Sequence, residues 1–199
     1  YGNAELILVS GYSGIGKTTL VKEIYQPLAI QHGYFIHGKF DLLQRGTPYS
    51  AVIMALQSLV KQILAESDNI LAKFREELIL SLDQIGQVII DVIPEVERII
   101  GPQPAPLVLN AKETQNRFNF AMQKFIHVFA KSQHQLVIFI DDLQWADLAS
   151  LEIIENLLTD TENHYFLIIG AYRDNEIHSD HPLNQLIKNL EKKSKQIQN

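Results

Sequence analysis

Residues 10 to 20, SGYSGIGKTTL, set three glycines, one lysine and two threonines directly behind an apolar run. Gly11, Gly16, Lys17 and Thr18 fit the spacing G-x-x-x-x-G-K-[ST], with a further glycine at Gly14. Such a turn suits polyanion chemistry. Glycines let the chain fold so that successive backbone amides point inward, and a helix starting at the same place adds the positive end of its dipole. The backbone of Gly11, Tyr12, Ser13, Gly14, Ile15 and Gly16 would then cradle phosphate oxygens. Lys17 would reach the terminal phosphates, Thr18 would offer its hydroxyl to Mg²⁺, and Thr19 would bring a second hydroxyl to the α-phosphate.

A triphosphate site also needs a carboxylate at the end of a neighbouring strand to hold the water shell of the metal. In LVIFIDDLQWAD, Asp141 closes an apolar run and so would emerge at the rim of a sheet. Asp142, one residue on, could orient or deprotonate an attacking water; a turn or helix-cap role is the alternative for such a pair. Arg173, in YFLIIGAYRDNE, follows another apolar run and should reach the same rim. Two readings stand for it: a guanidinium fork on the γ-phosphate, or a salt bridge to Asp174 or Glu176. Trp145 reads as a core residue, and the pair His178 and His181 around Asp180 as structural, because no further metal ligand accompanies it.

These residues require a frame. Four apolar runs, Leu6 to Val9, Tyr34 to Ile36, Leu136 to Ile140 and Phe166 to Ile169, show no alternation, which predicts strands covered on both faces. Between them lie helical patterns. Phe118, Met122, Phe125, Ile126 and Phe129 form one apolar stripe, and Asn110 with Glu113 three positions on predicts a capped start for that helix. Residues 49 to 100 read as a helical insertion with a helix start at Ser67 or Asp68, followed by a proline-rich connector over 101 to 107. The pattern predicts an α/β fold in which a central parallel sheet lies between helical layers, with ligands beyond the carboxyl ends of the strands.

The 199 residues suit one buried core. A formal net charge of -6 argues against broad nucleic-acid binding, and the basic stretch Lys188, Lys192, Lys193 and Lys195 reads as the solvated face of a last helix. No apolar stretch approaches the roughly 18 residues of a membrane-spanning helix. With no cysteine present, disulfides and thiolate zinc sites are excluded, and a cytoplasmic setting is expected.

Taken together, GYSGIGKTT, FIDDLQWAD and GAYRDNE, with YFIHGKFD and VIIDVIPEVERIIG between them, resemble the ATPase module of very large bacterial multi-sensor signalling kinases. That module belongs to the STAND branch of AAA-like P-loop ATPases, and the likeness runs from Leu6 to Glu176. The resemblance implies ATP or ADP with Mg²⁺ as ligands. It assigns the phosphate loop to Gly11, Gly14, Gly16, Lys17, Thr18 and Thr19, metal support to Asp141, water activation to Asp142 and γ-phosphate sensing to Arg173. It further implies a nucleotide-dependent switch, with kinase-like, sensor and histidine kinase domains as partners within the parent protein. Similar modules carry an adenine-contacting element before the first strand and a fifth strand and helical lid after Arg173. By that comparison this chain is a shortened P-loop core whose sheet has four strands in the order 1-4-3-2. The first strand would be an exposed edge open to self-association, and nucleotide turnover by this piece would be weak. A nucleotide or small-molecule kinase, and a non-catalytic ATP-binding scaffold, are the competing functions; no HRD-like or DFG-like protein-kinase pattern is present.

Overall fold

A computed structural model of the chain describes residues 3–30, 33–44 and 47–197. Four strands, β1 (Glu5–Ser10), β2 (Tyr34–Lys39), β3 (Leu136–Asp141) and β4 (Phe166–Tyr172), form one parallel sheet in the order β1-β4-β3-β2. The α/β class and the strand order are those expected. Helix α1 (Lys17–Ile30) links β1 to β2 across one face, where Val21 meets Val137, Phe139, Ile169 and Ala171.

The opposite face carries the larger core. Between β2 and β3 the chain is helical: α2 (Ser50–Leu64), α3 (Asp68–Leu82), the short α4 (Gly86–Ile90) and α5 (Glu97–Ile100), then α6 (Ala111–Phe129). Helix α7 (Leu148–Thr159) joins β3 to β4, and α8 (Pro182–Ile197) packs against α7. Ile36, Ile138, Ile140 and Ile168 of the sheet lie in one apolar cluster with Leu56 and Leu59 of α2, Phe125 and Phe129 of α6 and Ile154 of α7. The predicted stripe of α6 is buried throughout, and its capping box is present: Asn110 Oδ1 accepts from the Glu113 amide at 2.9 Å and Glu113 Oε2 accepts from the Asn110 amide at 3.3 Å. Helix α3 starts at Asp68, behind Ser67 in extended backbone.

All six residues of β3 are buried, as a strand covered on both faces requires. The expectation of continuous burial fails for β1. There burial alternates along Glu5 to Leu8 and Ile7 is 45% exposed, because β1 is an edge paired only with β4. β2 also runs three residues past its apolar stretch, to Lys39. Gly38 allows this: a Cβ there would sit 1.9 Å from the Ala51 carbonyl oxygen, so α2 lies directly on the strand. Of the basic residues near the end, Lys188, Lys192 and Lys193 are exposed on α8, with Lys193 paired to Glu155; the side chain of Lys195 lies outside the described residues.

The sheet sets its strand ends level. Ser10 pairs in register with Tyr172, and Lys39 with Asp141, so the segments that follow β1, β3 and β4 and the last residue of β2 share one rim. Chain direction reverses there: β1 is followed by β2 at the far edge, while β3 and β4 return toward β1. Such a switch point is where open α/β sheets bind ligands.

Candidate functional site

The glycine turn stands at the carboxyl end of β1. Gly11, Gly14 and Gly16 have φ of 148°, 78° and 96°, in the region that side-chain-bearing residues rarely adopt, and this is why glycine recurs there. Tyr12, Ser13, Gly14, Ile15, Gly16 and Thr19 are all exposed. Lys17, the first residue of α1, folds back over the turn and its Nζ donates to the carbonyls of Gly11 at 2.7 Å and Tyr12 at 2.9 Å. Its ammonium is thereby held above the loop, where an incoming polyanion can exchange for those carbonyls.

Thr18 connects the loop to the strand end. Its Oγ1 donates to Asp141 Oδ2 at 2.8 Å, across 123 residues of sequence. Asp141 is 7% exposed, and its Oδ1 accepts from the Asp142 amide at 3.0 Å. A hydroxyl and a carboxylate oxygen side by side are a hard-oxygen pair suited to Mg²⁺. Among the described residues no cluster of three or more His, Cys, Asp or Glu side chains could hold a metal alone, so a cation here would be shared with waters or phosphate.

Asp142 is held more tightly. Its backbone is left-handed, φ 56° and ψ 45°, a conformation in which Asp is one of the tolerated residues. Oδ1 accepts from Gln144 Nε2 at 2.8 Å and faces Arg173 Nε at 3.4 Å, while Oδ2 lies 3.2 Å from Lys39 Nζ. A carboxylate that is 6% exposed is compensated in this way by two cations and an amide. Of the two sequence readings of Arg173, the salt bridge to Glu176 is present, with Nη1 donating to Glu176 Oε1 at 2.7 Å, and the guanidinium also lies beside Asp142.

Trp145 packs against the main apolar cluster, as the sequence reading expects, but it is half-buried and also polar in its contacts: its ring lies 5.0 Å from the Arg173 guanidinium carbon and its Nε1 donates to Glu176 Oε2 at 3.1 Å. His181 is structural, as expected; its Nε2 lies 3.0 Å from the Gln144 carbonyl, whereas His178 is exposed. On the α1 face, His37 stacks on Phe139 with ring centroids 4.9 Å apart. Burial lowers its pKa from the usual histidine value, against the opposing pull of nearby Asp141 and with help from Lys22 and Lys39.

Sequence reasoning misses Lys39, Gln144 and Glu176 as members of this rim, along with the polar part played by Trp145. Gln144 and Trp145 lie inside the quoted motif, and Glu176 enters the sequence reading only as an ion-pair partner. Lys39 carries a usable signal, since three more strand residues after Ile36 end on it and bring it level with Asp141.

A parallel sheet with a glycine turn ahead of α1, and a threonine of that helix bonded to an aspartate closing β3, places the chain among α/β domains of the P-loop type. The AAA ATPase domain family matches residues 1–169, most of the chain, and the protein belongs to that family. It is 40% identical over 157 residues to hybrid signal transduction histidine kinase G of Dictyostelium discoideum, a match covering 79% of this chain and 4% of that protein. It is 23% identical over 168 residues to histidine protein kinase 1 of Candida albicans, covering 77% and 7% respectively. A peroxide stress-activated histidine kinase of Schizosaccharomyces pombe is 32% identical over 98 residues, covering 48% of this chain and 4% of its own length. The chain thus spans only a small part of the curated relatives it matches.

Proposed function

We propose that this chain is an ATP-binding switch module, of the STAND type, within a larger histidine-kinase-like signalling protein. The observation that carries the proposal is the 2.8 Å bond from Thr18 to Asp141, which ties the residue after the glycine loop to the strand-end carboxylate and supports reading the two together. Backbone amides from Gly11 to Thr19 and the Lys17 ammonium would hold the phosphates. Thr18 and Asp141 would support Mg²⁺, which supplies charge neutralisation on the phosphate oxygens when bound. Asp142 is the group that would accept a proton from, or orient, the attacking water, and Arg173 the group that would read the terminal phosphate.

In the arrangement observed, Asp142 is engaged by Lys39, Arg173 and Gln144. That supports a reading in which nucleotide is captured first and hydrolysis follows only after Asp142 is released. Coupling of the nucleotide state to other domains of the parent protein, and a cytoplasmic setting, belong to the same proposal. Among the described residues no helix is long and apolar enough to cross a membrane. The free edge of β1 supports self-association as a further property of the module. Titration of the chain with ATP, ADP and GTP, each with and without Mg²⁺, tests the reading. Saturable, Mg²⁺-strengthened ATP binding is expected; absence of nucleotide binding would refute it.

A further inference from the structure

The ring of contacts around Arg173 has an internal asymmetry. On one side the guanidinium is pinned, with Nη1 on Glu176 Oε1 at 2.7 Å and its carbon 5.0 Å from the Trp145 ring. Glu176 is itself fixed at both oxygens, because Oε2 accepts the indole N–H at 3.1 Å. The Arg173 amide is also anchored, donating to Gln144 Oε1 at 3.1 Å, and the Glu176 amide closes a turn onto the Arg173 carbonyl at 3.1 Å. On the other side the hold is loose. Nε faces Asp142 Oδ1 at 3.4 Å, beyond normal hydrogen-bond length, and Nη2 has no hydrogen bond among the described residues.

Nε and Nη2 together form one edge of the guanidinium fork, the edge that matches two oxygens of a phosphate. Arg173 follows Tyr172, which pairs in register with Ser10, the residue before the glycine loop. Arg173 thus leaves the strand end that neighbours the glycine loop, with its loosely held edge facing Asp142 and the Nη1 side tied to Glu176. The geometry points to Trp145 and Glu176 as positioning residues that preset Arg173 for the terminal phosphate of a nucleoside triphosphate. Arrival of that phosphate draws the Nε and Nη2 edge from Asp142 while Nη1 stays on Glu176. The same exchange removes one of the two cations from Asp142. This rests on the ATP-binding reading and adds to it the means by which a triphosphate is told from a diphosphate.

Trp145 is the single tryptophan of the chain, so its emission reports the movement of the guanidinium charge lying against its ring. The test uses the whole chain with Mg²⁺. Affinities for ADP and for the slowly hydrolysed analogue ATPγS are measured by calorimetry, and tryptophan emission is recorded with each. For the unaltered protein, tighter binding of ATPγS and a different emission with the two nucleotides are expected. Glu176→Gln should lose about tenfold in ATPγS affinity, as for one charge-assisted hydrogen bond, with ADP affinity held within about twofold. Trp145→Phe, which keeps an aromatic face but loses the N–H, should show a smaller loss in the same direction.

Equal losses for both nucleotides would mean that the pair only supports the fold, and would overturn the inference. So would identical emission with ADP and ATPγS in the unaltered protein, a measurement that needs no variant. If the unaltered protein binds ADP and ATPγS but without preference, the sensing role fails while the nucleotide site stands. If it binds neither, the ATP-binding reading falls as well.

Discussion

Among the described residues the glycine loop is tied by few side-chain bonds, those of Lys17 to the loop's own carbonyls and that of Thr18 to Asp141 at the end of β3. One residue beyond Asp141, both oxygens of the Asp142 carboxylate are engaged, by side chains from β2, from the turn after β3 and from the segment after β4. The loop is exposed and built from backbone; the acidic corner is buried and built from side chains. On the function proposed above, phosphate capture and phosphate chemistry would be separated here. An exposed set of amide donors can accept a ligand at once, whereas a buried carboxylate held by two cations must first exchange partners.

The contrast yields predictions of decreasing size. Asp142→Asn keeps a side chain that tolerates the left-handed backbone, so the fold should persist. If Asp142 is the base, nucleotide turnover should fall by about 10²- to 10⁴-fold in a phosphate-release assay while ATP affinity changes little. Lys17→Ala acts on the other region and should do the reverse, lowering ATP affinity by about 10- to 100-fold through loss of a charge-assisted contact, as read by calorimetry. A variant that changed both quantities equally in either case would erase the distinction between the two regions.

A smaller effect concerns pH. His37 has a lowered pKa in the folded protein because burial disfavours its charged form. Its contribution to stability is therefore present above the unfolded value of about 6.5 and is lost as pH falls through the folded value. The melting temperature should drop between pH 7 and pH 5, and should drop less steeply in His37→Phe, as calorimetric scans would show. Smallest of all is the stability effect of Lys39→Ala. Lys39 is 52% exposed, and an ion pair with such a partner contributes about 0.5 kcal/mol or less to folding. A shift of the urea midpoint much beyond that would show the acidic corner to be more rigid than its geometry implies.

The loop is legible in the sequence because its left-handed backbone resides in glycine spacing, which no packing partner alters. Asp141 is equally readable, since a carboxylate closing a fully buried strand has to meet a donor or a cation at the sheet rim. The rest of the corner is not. Lys39 is hidden because His37 and Gly38 interrupt the apolar run of β2, and the reasons for that interruption are tertiary: His37 stacks on Phe139, and Gly38 makes room for Ala51 of α2. Trp145 and Glu176 stand 31 residues apart and meet only because β3 and β4 are neighbours in the sheet. The alternation of β1 is obscured for a related reason, since an edge position belongs to the topology and leaves little mark on four apolar residues.

The joining of loop and strand end is tested most directly by a double-mutant cycle of Thr18→Val and Asp141→Asn, read as MgATP affinity. If the two oxygens serve one shared cation, either change should cost nearly as much as both together, giving a coupling of about 1 kcal/mol or more. Losses that simply add, to within about 0.3 kcal/mol, would mean that the loop and the carboxylate act separately and that the proposed site does not exist.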